Sequence, residues 1–149
     1  MEPQLTLEPA SPSDLGQIRR LLDESKLPSA DVGEHLGGFL VARLEGDIVG
    51  FVGVEPHGRE ALLRSLCVLV HNRGRGVGRS LCAGAEALAR GAGARDLYLL
   101  TTDAQGYFER QGFVACRRED VAETIRRTGQ FQTLCPSTAT VMKKRLPAT

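Results

Sequence analysis

The sequence has no tryptophan and only 5% aromatic residues, so it offers few flat faces on which nucleic-acid bases could stack. Its 19 Lys and Arg residues offset 18 acidic ones. A net charge of +1 is too small to draw a chain onto nucleic acid or an anionic membrane, so neither is the expected partner. The longest apolar stretch, Ala61 to Val70, is broken by Arg64 and Ser65 and falls far below the roughly 20 residues that span a bilayer. Met1 to Ser13 has no basic segment and no apolar core of a secretion signal. The four cysteines, Cys67, Cys82, Cys116 and Cys135, form no CxxC pair. They read as reduced thiols of a cytoplasmic protein and give no support for a metal site.

What is present is 149 residues, 42% of them hydrophobic, with 17 glycines. That length predicts one globular domain over 1–149. Leu5 and Leu7 alternate with polar residues as in a short strand, and Ser11 to Asp14, with Pro12 at the first position, predicts a helix start continued by Leu15, Ile18 and Leu22. A polar stretch from Ser25 to Gly38 follows. Phe39 to Leu44 and Ile48 to Val54 flank Gly46-Asp47, a hairpin signal. Leu62 to Val70 is almost wholly apolar and predicts a central strand. Val77, Leu81, Ala85 and Leu88 follow at helical spacing until Gly91 and Gly93. A strand at Leu97 to Leu100, a helix at Asp103 to Gln111, a strand at Gly112 to Cys116, a polar helix around Asp120 to Arg127 and a last strand at Thr138 to Leu146 complete a mixed α/β chain.

The glycines cluster where a buried strand meets an amphipathic helix, in Arg73-Gly74-Arg75-Gly76-Val77-Gly78-Arg79-Ser80. Glycines leave backbone N–H groups uncovered at the helix N-terminus, where the dipole favours a phosphate or pyrophosphate, and three arginines add positive charge. The plainer alternative is a short connection that needs glycine only to turn. A Walker A loop is excluded because Arg73 stands where its first glycine belongs and Arg79 replaces its lysine. A dinucleotide fingerprint is excluded because Arg79 and Leu81 occupy the places of its third glycine.

Arg73-x-x-Gly76-x-Gly78 resembles the pyrophosphate loop of the GNAT superfamily of acyl-CoA-dependent N-acetyltransferases, and the order of elements resembles that family along almost the whole chain. The resemblance implies an α/β GNAT fold whose mixed central sheet holds acyl-CoA in a splayed strand pair. Leu66, Cys67 and Val68 would pair with pantetheine, and residues 73 to 80 would cradle the pyrophosphate of acetyl-CoA. Thr101 and Phe108 would join the CoA-binding set, with Tyr107-Phe108-Glu109-Arg110 and Gly112-Phe113 resembling the family's later motif. A narrower likeness, in Leu99 to Thr102, Tyr107 to Phe113, Ile125 to Thr128, Phe131 and Leu134 to Ser137, is to the GNAT proteins associated with arsenic resistance, which are related to the N-acetylglutamate-forming domain. Ala122 stands where that subfamily's proline is expected. The implied acceptor is the amine of a small amino-acid-like molecule, glutamate or its organoarsenical or phosphinic mimics.

Many GNAT enzymes carry a glutamate on the strand before the loop; here that place is Arg64. Arginine is no base at neutral pH but binds a carboxylate, phosphinate or arsonate in two-point fashion, so Arg64 is a candidate anchor; the alternatives are a side chain reaching solvent or pairing with Glu60 on its own strand face. The family's acidic tyrosine falls on Phe108, which leaves Tyr107, about 100° around the helix, as candidate acid or as a packed aromatic. Glu34, His35 and Glu60 are candidate bases, with a water chain as a further option, and His57 and His71 read as surface residues. Arg126 and the Cys135 to Thr138 stretch, Ser137 included, would line the acceptor pocket by subfamily resemblance, Arg126 being otherwise a solvated helix residue. Cys67 and Cys135 read as buried thiols. Two other functions stay open: a non-catalytic acyl-CoA-binding or regulatory module, and an acetyltransferase of protein N-termini. An exposed last strand could support a homodimer.

Overall fold

The computed structural model describes residues 4–27, 29–129, 131–132 and 138–147. Seven strands form one mixed sheet in the order β1-β2-β3-β4-β5-β7-β6. The chain divides into two compact units, 1–54 with 65–85 and 55–64 with 86–149. Among the described residues no helix is long and apolar enough to cross a membrane.

In the first unit, β1 (Leu5–Pro9) pairs antiparallel with β2 (Phe39–Leu44), and β2 with β3 (Asp47–His57). Leu44 faces Asp47, so the hairpin turn is Glu45-Gly46, one residue earlier than the sequence suggests. Both residues have positive φ, 52° and 87°, which matches the twist of the flanking strands. A 3₁₀ turn at Pro12–Asp14 leads into α1 (Leu15–Glu24), and the Ser11 N–H donates to Asp14 Oδ2 at 2.9 Å. The helix ends with Lys26 left-handed at φ 57°, while the N–H of Leu27 donates to Leu22 O. That pairing satisfies a carbonyl the helix end would otherwise orphan. Ile18 and Leu22, four apart on α1, pack on Val32, Phe39, Val41, Ile48 and Phe51 as this unit's core. Each such side chain contributes roughly 1.5–3 kcal/mol by leaving water.

The polar stretch before β2 is more ordered than expected: it holds α2 (Val32–His35) and a 3₁₀ turn at Leu36–Gly38. Fully buried Val32 and partly buried Leu36 tie it to the core. β4 runs over Glu60–Val68, two residues earlier at each end than the apolar run, and a 3₁₀ turn at Val70–Asn72 precedes α3 (Val77–Gly91). α3 ends at Gly91, and Gly93, at φ 96°, lets Ala94 donate back to Ala89 O.

In the second unit, β4 pairs parallel with β5 (Asp96–Thr101), β5 antiparallel with β7 (Thr140–Arg145), and β7 antiparallel with β6 (Val114–Cys116). α4 (Gln105–Arg110) and α5 (Glu123–Arg126) are shorter than their polar flanks predict. Leu62, Tyr98, Val121, Ile125 and Val141 form the second core. The last strand is not exposed: β7 lies between β5 and β6, and the sheet edges are β1 and β6. A dimer through an exposed last strand is thereby excluded, because both of its ladder sides are taken.

Candidate active site

In the first unit, the end of β4 and the start of α3 are built as one piece. Leu66 and Val68 are half-buried and Cys67 is buried in the core. Burial pushes the Cys67 thiol up, against the smaller opposing effects of Ser25 and Arg73. Leu69 donates to Val49 O at 2.9 Å and Asn72 to Leu69 O at 2.8 Å, which closes the strand end. Arg73 Nε donates to Val68 O at 3.2 Å, drawing the loop back onto β4. Gly74 and Gly76 have φ of 79° and 80°, the left-handed region that disfavours any other residue. A Cβ at either would meet nothing within 4 Å, so the space before the loop is open.

Ser80 makes the first α3 bond, to Gly76 O at 3.0 Å, so the N–H groups of Val77, Gly78 and Arg79 precede the helical ladder. Buried Val77 and Leu81 seat this end of the helix, while Arg73, Arg75 and Arg79 are exposed. Open backbone donors, a fifteen-residue helix dipole and three exposed arginines fit the pyrophosphate of acetyl-CoA.

In the second unit, the β4–β5 ladder ends at Leu62↔Tyr98, although β5 continues to Thr101. Its last residues therefore have no β4 ladder partner, as a splayed pair requires. Thr101 is buried, and its Oγ1 accepts the Ala104 N–H at 3.0 Å at the head of α4. Phe108 is buried and packs edge-on against both Tyr107 and Phe113, with ring centroids 5.3 and 5.7 Å apart. Tyr107 is half-buried. The α4 helix is closed by Gly112 at φ 96°, with the Phe113 N–H on Phe108 O.

The acceptor-side candidates come from both units. Glu34 is exposed, and His35 is half-buried with Nε2 3.6 Å from Asp31 Oδ2. Arg64 neither reaches solvent nor pairs with Glu60: its side chain is 0% exposed, and Nη1 lies 3.9 Å from Glu55 Oε1 on β3. Glu60 instead accepts from Thr124 Oγ1 at 3.4 Å. Arg126 is exposed at the end of α5, as a solvated helix residue would be. His71 is exposed as expected, but His57 is half-buried at the end of β3. Ser137 and Cys135 lie outside the described residues. Glu55 is a site residue that the sequence barely marks: the apolar run stops at Val54, and a carboxylate directly continuing that run is its signal.

A strand, a glycine loop and a dipole-led helix in the first unit, and a parallel pair whose ladder stops early in the second, are features of an α/β protein suited to an anionic cosubstrate. Residues 35–115, more than half of the chain, match the model of the acetyltransferase (GNAT) domain. The chain belongs to the GNAT acetyltransferase family. It is 33% identical over 93 residues to an uncharacterized N-acetyltransferase of Chlorobaculum tepidum, covering 62% of this chain and 59% of that protein. It is 28% identical over 135 residues to an amino-acid acetyltransferase of Ralstonia nicotianae, covering 85% of this chain and 30% of that one. Its fold is similar to that of N-acetylglutamate synthase from Neisseria gonorrhoeae, solved with coenzyme A and N-acetyl-glutamate, at a TM-score of 0.84 and 21% identity, covering 99% of this chain and 36% of that one. The chain thus spans less than two thirds of each of these proteins.

Proposed function

We propose that the chain is an acetyl-CoA-dependent N-acetyltransferase acting on the amine of a small amino-acid-like acceptor. The observation that carries the cosubstrate is the open loop of Gly74 and Gly76, leading into the free N–H groups that begin α3. The likeness to an amino-acid acetyltransferase over 85% of this chain supports the acceptor class. Glutamate and its organoarsenical and phosphinic analogues are the acceptors on which the reading commits itself, and arsenic resistance is the setting it suggests. Cys67 and Cys116 are cysteines outside any disulfide, which supports a reducing, cytoplasmic setting.

Transfer forms a C–N bond at the thioester carbonyl, breaks the C–S bond and moves one proton from the amine to the departing sulfur. Residues 77–79 and the loop arginines fix the pyrophosphate and so set the position of the thioester. The backbone N–H near Val68 polarises the carbonyl, and Tyr107 offers the proton to sulfur. A thiolate of pKa about 8.5 needs that proton only weakly near neutrality. His35 and Glu34 serve as acceptor-side groups, and the subfamily resemblance adds Arg126 and Ser137 to the candidates for acceptor binding.

The test is CoA release, followed by thiol detection, from acetyl-CoA and a panel of amines. The panel holds glutamate, phosphinothricin, arsinothricin, polyamines, an aminoglycoside and short peptides. Turnover confined to amino acids with a second anionic group is expected. Turnover on peptides alone, or acetyl-CoA binding with no turnover on any amine, overturns the acceptor assignment.

A further inference from the structure

We infer that Lys144 is a positioning residue for the transfer reaction, a latch that ties the end of α4 to α3 and so sets where Tyr107 and Phe108 stand. The inference rests on the reading that α4 faces acyl-CoA. Lys144, on β7, donates from Nζ to Gln111 O at 2.8 Å and to Glu86 Oε2 at 3.0 Å. Gln111 caps α4, and Glu86 belongs to α3. Both charged side chains are largely buried, at 24% and 14% exposure. The ammonium also lies 5.9 Å from the Phe113 ring centroid, and Phe113 carries the edge-on contact to Phe108.

Gly112 shows how closely the latch is fitted. A Cβ there would stand 3.1 Å from Lys144 Cε, so the lysine stem passes across the one residue whose φ of 96° turns the chain from α4 into β6. A six-residue helix has little stability of its own. Its place is set by what holds its end, and a cation on its last carbonyls is the strongest hydrogen bond there. Lys144 acts through Gln111, Phe113 and Phe108.

The test compares the full chain with Lys144→Met, Lys144→Arg and Glu86→Gln. Amide hydrogen exchange of the free protein is expected to quicken about tenfold over residues 105–113 in Lys144→Met. It should quicken about threefold over the same residues in Glu86→Gln and stay near the wild-type rate in Lys144→Arg and throughout β5. In turnover, Lys144→Met lowers kcat about tenfold with little change in the KM of the acceptor, and loses most of that effect in a Tyr107→Phe background. Unchanged exchange over 105–113, a uniform rise across the chain, or fully multiplicative effects of Lys144→Met and Tyr107→Phe overturns the latch. If the wild-type chain acetylates no amine, the proposed function fails, and exchange alone decides the latch; if Lys144→Met does not fold, Glu86→Gln decides it by the same measurement.

Discussion

Arg64 Nη1 stands 3.9 Å from Glu55 Oε1, with neither side chain more than 5% exposed. Taking two charges out of water costs several kcal/mol, which their attraction returns only while both are present. Arg64→Met therefore leaves a buried carboxylate without this counter-charge and should destabilise the fold by about 3–5 kcal/mol. The double change Arg64→Met with Glu55→Leu should recover most of that loss, as denaturant unfolding will show. The same pair bears on the anchoring role. An enclosed guanidinium meets an acceptor only if the pair opens, so Arg64→Lys should raise the acceptor KM selectively for substrates with a second anionic group if it does. An equal change for all acceptors assigns Arg64 to the framework.

Acid should weaken the first unit through Asp14. Burial by itself would raise the Asp14 carboxyl, but the Ser11 N–H and the Arg43 guanidinium outweigh it and hold the carboxyl below its ordinary value of 3.8. Arg43 Nη2 lies 2.9 Å from both Asp14 oxygens, and Arg43 also pairs with Glu8. A carboxyl depressed in the folded state stabilises above its unfolded pKa, and that contribution disappears as pH falls through the folded pKa. Unfolding free energy should thus drop as pH goes below about 4, and Asp14→Asn should be less stable at pH 7 and show a shallower decline. An equally steep decline in Asp14→Asn would place the acid sensitivity elsewhere.

Much of this fold was legible in the residues because its signals are local. Ile18 with Leu22 and Val77 with Leu81 announce their helices by spacing, and Gly93 announces a helix end. α2 was not legible: four residues with a single buried Val32 carry no period to detect. Nor was the slot of β7, since the alternation in Thr140–Arg145 says that the segment is a strand but not that it inserts between β5 and β6. Site residues followed the same division. The loop glycines showed themselves by type and spacing, whereas the partner of Arg64 did not. Parity along one strand points to Glu60; the carboxylate that pairs with it comes from the neighbouring strand, a relation that chain order does not express.

The phosphate-binding reading of the loop has its own test. Gly76 has φ 80° with nothing within 4 Å of an added Cβ, so Gly76→Ala costs about 1 kcal/mol in backbone strain and puts a methyl group into the open space. Acetyl-CoA affinity should fall roughly tenfold, measured by titration calorimetry. Exposed Arg75 and Arg79 should each lose about three- to tenfold affinity on change to alanine, with a smaller loss at 0.5 M salt, where exposed charges are screened. Affinities that ignore all three substitutions would leave these glycines as turn formers only.

Gly50 makes the sharpest stability prediction, because it lies in the middle of β3 with no special φ and is required for space alone. A Cβ there would stand 2.8 Å from the carbonyl oxygen of Cys67, 3.0 Å from Leu81 Cδ1 and 3.3 Å from Val77 Cγ1. The first is backbone, so the methyl group must either open β3 from β4 or push out the first turn of α3. Gly50→Ala should cost about 1–3 kcal/mol and weaken acetyl-CoA binding with it, since Val77 opens the helix whose N–H groups are proposed to meet the pyrophosphate. Gly46 is the control: its φ is 87° and nothing lies within 4 Å of an added Cβ. Asparagine tolerates that conformation, so Gly46→Asn should change unfolding free energy by less than about 0.5 kcal/mol. Equal losses for the two variants would mean that α3 does not rest on Gly50.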